Sequence, residues 1–223
     1  MSQLSSTPAG TPHPVIAMDG PAASGKSTVA RRIAERLGFT YVNTGSMFRG
    51  MTYMAVRELP SLEEAVVSQS VASWDVKSWL EGGEMKFTVN GVDPLPYIRD
   101  ENVAKNVSPV AAIPAVRLIL KNLQRALALE APLVMEGRDI GTSIFPDTPH
   151  KFYIDADVEI RERRRLGEGV VDSIKLRDAV DRARAAAPLR VAEGAVVIDT
   201  SHMSVEEVTA AVLGHLREQG ISA

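Results

Sequence analysis

The run Gly20-Pro21-Ala22-Ala23-Ser24-Gly25-Lys26-Ser27-Thr28 has the residue types and spacing of a phosphate cradle. It fits the pattern G-x-x-x-x-G-K-[ST]. Glycines let the backbone curl so that successive N–H groups converge on phosphate oxygens. A helix opening at Lys26 adds the positive end of its dipole to the same place. Lys26 reaches the β- and γ-phosphates, and Ser27 offers a hydroxyl to Mg²⁺. Such a loop implies a nucleoside triphosphate and Mg²⁺, but not the fate of the γ-phosphate. The chain has no Asn-Lys-x-Asp motif, which argues against a guanine-reading switch.

Further polar clusters could define an acceptor. Thr44, Phe48 and Arg49 follow one apolar run, and Ser108 and Arg117 flank the start of a helical pattern. Glu136, Arg138 and Asp139 end another apolar run, the end of a parallel strand where ligands bind in open α/β sheets. The segment Leu176 to Arg190 reads as a helix with Leu176, Val180, Ala183 and Ala187 on one apolar stripe. Asp178 and Arg182 then point into water, and Arg177, Asp181 and Arg184 share a third face at i, i+4, i+7. That face is either an intrahelical ion-pair ladder or a grip on an anion. Arg161, Arg164 and Arg165 raise the same choice: a solvated basic helix, or a lid over a polyphosphate before the glycine-containing turn that follows.

These residues need a scaffold. Val15–Asp19, Phe39–Asn43, "PLVMEG", "HKFYIDA" and "AVVIDTS" are short apolar runs with the look of buried strands. Helical spacing connects them: Val29, Ile33, Ala34 and Leu37, stopped by Gly38; then Ile113, Val116, Leu120, Leu123 and Leu127. The last helix opens on a capping box, Ser204 to Glu207. Strands alternating with helices predict a three-layer α/β sandwich around a parallel sheet. The segment "MKFTVNGVDPLPYIR" alternates and carries Asn90-Gly91, a hairpin signal, inside an expected insertion over about 74–112. Trp74, Trp79, Met18, Met51 and Met54 are expected to pack, and the four histidines have no metal-ligand spacing.

The 223 residues suit one large domain, expected over 14–223, behind a polar disordered tail over 1–13. With no cysteine there is neither a disulfide framework nor a thiolate metal site, and a reducing cytoplasm is expected. No apolar run approaches 18 residues, so no membrane segment is expected. A net charge of −3 argues against coating of nucleic acid but leaves room for a local basic pocket.

With these motifs assembled, the chain resembles the bacterial cytidylate kinase family of nucleoside monophosphate kinases. The resemblance rests on "DGPAASGKST", "TGSMFR", "VSPVAAIPAVR", "EGRDIGT-x-x-FP", "RERRRL", "RDAVDRARAAAPL" and "VIDTS", in family order. It implies a P-loop fold with a five-stranded parallel sheet of order 2-3-1-4-5, a monophosphate-binding insertion and a short lid over about 161–176. It implies Mg²⁺-dependent transfer of the ATP γ-phosphate to CMP or dCMP by a monomer acting on small nucleotides. Residues 20–28 and the lid arginines Arg161, Arg164 and Arg165 would bind ATP. Thr44, Phe48 and Arg49 would line the monophosphate pocket, and Ser108 and Arg117 would face cytosine. Arg138 and Asp139 would hold phosphate and sugar, and Arg177, Asp181 and Arg184 would clamp phosphate and ribose. Lys26, Arg138, Arg177 and Arg184 would be catalytic; Ser27, with Glu136 through water, would meet Mg²⁺. Three departures stand out: Phe48 where the family often has Tyr, Glu136 where it often has Asp, and few residues between Leu166 and Arg177. Other readings at this point are a kinase of the same fold acting on UMP, AMP or dTMP, and a regulatory protein that hydrolyses ATP slowly.

Overall fold

The computed structural model describes residues 12–167, 174–184 and 186–222, with the side chains of Leu176 and Arg177 outside the description. Strand β1 (Val15–Asp19) is apolar because both of its faces are covered. Val15 and Ala17 join one buried cluster with Val42, Met47, Met51, Leu120, Leu127 and Met135. Ile16 and Met18 join another with Val29, Ile33, Val134, Phe152, Val212 and Leu216. The period-2 alternation of a strand thus feeds two cores, one on each side of the sheet.

Helix α1 (Lys26–Leu37) ends on Gly38, whose φ of 67° is the left-handed stop. Strand β2 (Thr40–Asn43) leads directly into α2 (Thr44–Glu58), with the Asn43 side chain accepting from Ser46 N as N-cap. After α3 (Glu64–Val71) come β3 (Val76–Glu81) and β4 (Glu84–Val89), then α4 (Glu101–Ala112) and α5 (Pro114–Leu127). Strand β5 (Leu133–Gly137), β6 (Lys151–Asp155), α6 (Val158–Gly167), α7 (Ile174–Ala183), β7 (Val196–Asp199) and α8 (Val205–Glu218) complete the chain. Helix α8 opens on the capping box of Ser204 and Glu207. Helices α1 and α8 cover one face of the sheet, and α2 and α5 cover the other.

The sheet has seven strands in the order β3-β4-β2-β5-β1-β6-β7, which corrects the five-stranded expectation. Five parallel strands, β2-β5-β1-β6-β7, form its body; the β3–β4 hairpin extends it past β2. That hairpin turns at Gly82-Gly83, not at Asn90-Gly91 as the alternation suggested. Asn90 and Gly91 do form a tight left-handed turn, with φ of 51° and 76°, but it closes only the Val89–Val92 bridge. Pro94 cannot donate to a ladder, so no strand continues.

The expected helix over 176–190 is also corrected. Helix α7 stops at Ala183, and Ala187 takes a positive φ of 54° before Pro188. Proline disfavours the helical region for the residue before it, so the helix cannot pass through. Leu189 N instead donates back to Asp181 O at 2.9 Å. Trp79 was expected to pack and is 40% exposed on β3, whereas Trp74 packs against the core. The tail expected over 1–13 lies outside the described residues as far as position 11; His13 N donates to Ala128 O. Part of the expected lid, 168–173, is also outside them. Among the described residues no single helix is long and apolar enough to cross a membrane.

Candidate functional site

The site begins where β1 ends. Gly20 passes so close to β6 that a Cβ built there would lie 2.1 Å from Ile154 O, so only glycine fits. Gly25 caps α1 in the left-handed region, and Lys26 opens the helix buried, its Nζ donating to Pro21 O at 2.9 Å. Residues 22, 23 and 25–28 line a cleft of about 720 Å³, a volume suited to small-molecule ligands. Asp19, just before the loop, is buried; it accepts from Ile140 N and Gly141 N at 2.8 Å each. Burial raises its carboxyl pKa from 3.8 to about 6, against the two N–H donors that lower it.

Glu136, at the carboxyl end of β5, is the hub of one wall. Ser27 Oγ donates to its Oε2 at 2.7 Å, Tyr41 Oη to its Oε1 at 2.6 Å, and Thr44 Oγ1 to its carbonyl at 2.7 Å. Burial and the Glu136 charge hold the Tyr41 phenol above its ordinary pKa, so it stays a donor. Hydroxyl and carboxylate oxygens side by side at a phosphate loop are the hard donor set that suits Mg²⁺, so Ser27 and Glu136 fit that ion. No group of three His, Asp or Glu suited to hold a metal by itself occurs among the described residues.

A network of arginines and aspartates makes up another part of the lining. Arg138 Nε donates to Asp181 Oδ2 at 2.9 Å, and Arg184 pairs with Asp181 Oδ1. Arg117 donates to Asp139 Oδ2 at 2.5 Å and to Ala111 O at 3.1 Å, and stands over the Phe48 ring. Burial lowers the Arg184 pKa, opposed by the Asp181 charge. Arg138, Asp139, Asp181 and Arg184 line the cleft with Thr44, Phe48, Arg49 and Ser108. Arg49 also donates to Ile98 O at 3.1 Å. Arg117 lines a neighbouring cavity of about 190 Å³ that shares Phe48 with the cleft, and meets the site through Asp139.

Two expectations fail here. Asp178, predicted to point into water, is 3% exposed and accepts from Arg161 Nη1 at 2.6 Å. Arg161, predicted to grip ATP, is 1% exposed; it also donates to Ala156 O and Ala22 O. A guanidinium beside a helix that presents an aspartate, and under a loop with an open carbonyl, satisfies its donors inside the protein. Arg164 donates to Thr200 Oγ1 and O, while Arg165 lines the cleft. The side chain of Arg177 lies outside the described residues; its place on α7 is one turn before Asp181. Tyr41, Arg31 and Arg99 line the cleft and were missed. Tyr41 had a signal: strand alternation from Asn43 puts it on the face opposite Val42.

A family model described as cytidylate kinase matches residues 16–218. The cytidylate kinase of Nitratidesulfovibrio vulgaris strain DP4 is 39% identical, with 92% of this chain and 93% of that protein covered. The one from Oleidesulfovibrio alaskensis is 40% identical over 92% and 99% of the two chains. The one from Geobacillus sp. strain WCH70 is 41% identical over 92% and 96%.

Proposed function

This chain belongs to the cytidylate kinase family, and on that premise we propose that it transfers the γ-phosphate of ATP to CMP or dCMP, giving ADP and CDP or dCDP. One observation carries the reading beyond the family: the phosphate loop and the Arg138–Asp181–Arg184 cluster line one and the same cleft. Two phosphate binders sharing one cleft are what a reaction between two anions requires.

The loop amides over residues 20–28 hold the ATP phosphates, with Lys26 on the β- and γ-oxygens. Arg165 reaches the donor side from α6, and Arg164 braces that side through Thr200. Arg138 and Arg184, joined by Arg177 from α7, neutralise the acceptor phosphate, and Arg49 and Thr44 line its seat. Asp181 fixes the two arginines it pairs with and faces the ribose. Ser108, Arg117 and Asp139 read cytosine, with Phe48 packing beside them. Ser27 and, through water, Glu136 would hold Mg²⁺, which when bound would neutralise charge on the transferring phosphoryl group. The acceptor phosphate is already ionised, so alignment and charge carry the reaction and no general base is needed. With this reading go an insertion over about 74–112 that carries the monophosphate side, a short lid after Arg161, and a cytoplasmic monomer of pyrimidine metabolism that needs neither nucleic acid nor membrane.

ADP release measured with ATP, Mg²⁺ and each of CMP, dCMP, UMP, AMP, GMP and dTMP tests the reading. CMP or dCMP should turn over fastest, and Lys26→Ala should abolish the activity. Fastest turnover with another monophosphate would keep the loop assignments and sink those of Ser108, Arg117 and Asp139.

A further inference from the structure

We propose that Tyr41 is a positioning residue for the metal-side carboxylate, resting on the reading of Ser27 and Glu136 given above. Glu136 has two carboxylate oxygens and two side-chain donors. Tyr41 Oη takes Oε1 at 2.6 Å, and Ser27 Oγ takes Oε2 at 2.7 Å. With Oε1 tied, the carboxylate can rotate only by breaking a buried hydrogen bond to a charged acceptor, one of the stronger kinds. Oε2 is thereby kept pointing at the Ser27 hydroxyl. A glutamate has three side-chain torsions to fix, and a single hydroxyl fixes the last of them here.

Tyr41 is itself held from three sides. Its backbone N–H donates to Gly83 O, in the turn of the β3–β4 hairpin. Its ring carries the Arg31 guanidinium 4.4 Å above the centroid, and Arg31 pairs in turn with Glu84 beside that turn. Tyr41 is 5% exposed and packs in the cluster under α1. The phenol therefore has one orientation, and that orientation serves Glu136. Outer partners of this kind fix the geometry of a metal ligand without touching the ion.

The test is the affinity of the full chain for β,γ-imido ATP, measured by calorimetry in EDTA and again in excess Mg²⁺, for wild type and Tyr41→Phe. Phenylalanine keeps the ring packing and removes only the hydroxyl. The expected result is an EDTA affinity within about twofold of wild type and a Mg²⁺-induced gain reduced by about 10- to 100-fold. An unchanged Mg²⁺ gain would overturn the proposal. So would an equal loss in both buffers, because that is the signature of a merely structural tyrosine. If the wild type itself gains nothing from Mg²⁺, the assignment of Ser27 and Glu136 falls and this proposal falls with it. If the wild type gains affinity from Mg²⁺ but phosphorylates no monophosphate, the proposed activity alone fails.

Discussion

Asp19 ends β1 and Asp139 lies two residues past the end of β5, and their environments set different roles. Asp139 is 4% exposed and faces an Arg117 whose side chain is 10% exposed. Asp139→Ala would leave that guanidinium buried without a counter-charge, so a loss of about 3 kcal/mol in urea unfolding is expected. The KM for CMP should rise as well; an unchanged stability would mean that water already solvates Arg117. Asp19 has a carboxyl raised from 3.8 to about 6, chiefly by burial. Its folded form therefore holds a proton that the unfolded chain has already released. Between about pH 4 and pH 6 the stability it contributes falls as pH rises, by roughly 3 kcal/mol in all. Asp19→Asn cannot ionise, so the difference in unfolding free energy between wild type and variant should shift by that amount across this window and level off above it. A flat difference would show an Asp19 ionised throughout. The phosphate loop was legible at this scale because its chemistry depends on consecutive residues. Tyr41 and Asp19 were not, because their partners, Glu136 and the Ile140 and Gly141 amides, lie about a hundred positions away.

Among the elements, α6 and α7 show where periodicity misleads. The helical wheel of α7 puts Asp178 opposite the apolar stripe, and a wheel has no knowledge of a neighbouring helix that offers a buried cation. Arg161 supplies that cation and also donates to Ala22 O in the phosphate loop. It joins α6, α7 and the loop into one unit. Arg161→Ala should therefore cost about 3–5 kcal/mol of stability, and the protein that remains folded should keep its KM for ATP within a few fold. Arg165→Ala, on the cleft wall, should do the reverse, raising that KM with little change in melting. If Arg161→Ala instead raised the KM for ATP at unchanged melting temperature, the lid role expected from the sequence would be restored. The strands of the parallel body were readable because the central ones are buried on both faces and all are short apolar runs. The hairpin was read one turn too late because Asn90-Gly91 carries the stronger local signal. Gly82-Gly83 won because it lets β3 and β4 pair over six residues each and lets β4 dock beside β2 at Tyr41.

At the scale of the whole molecule the charge is unevenly placed. The chain carries a net charge of −3, yet among the described residues the cleft is lined by eight Lys or Arg side chains and four Asp or Glu. The excess of fixed positive charge inside is matched by negative charge elsewhere on the surface. A concave site with an excess of one sign focuses its field and draws in oppositely charged ligands. Two nucleotides carrying several negative charges each would be steered by it, and salt would weaken that steering over a Debye length of about 8 Å at 0.15 M. The pairs Arg138–Asp181 in the cleft and Arg117–Asp139 beside it are largely shielded from solvent and are screened much less. The expected result is a kcat/KM for CMP that falls several-fold between about 0.05 and 0.5 M KCl, while kcat changes by less than about twofold. A kcat that fell in step would locate the salt-sensitive charges in the bound complex, among the arginines that contact the reacting phosphates, and not in the approach to it.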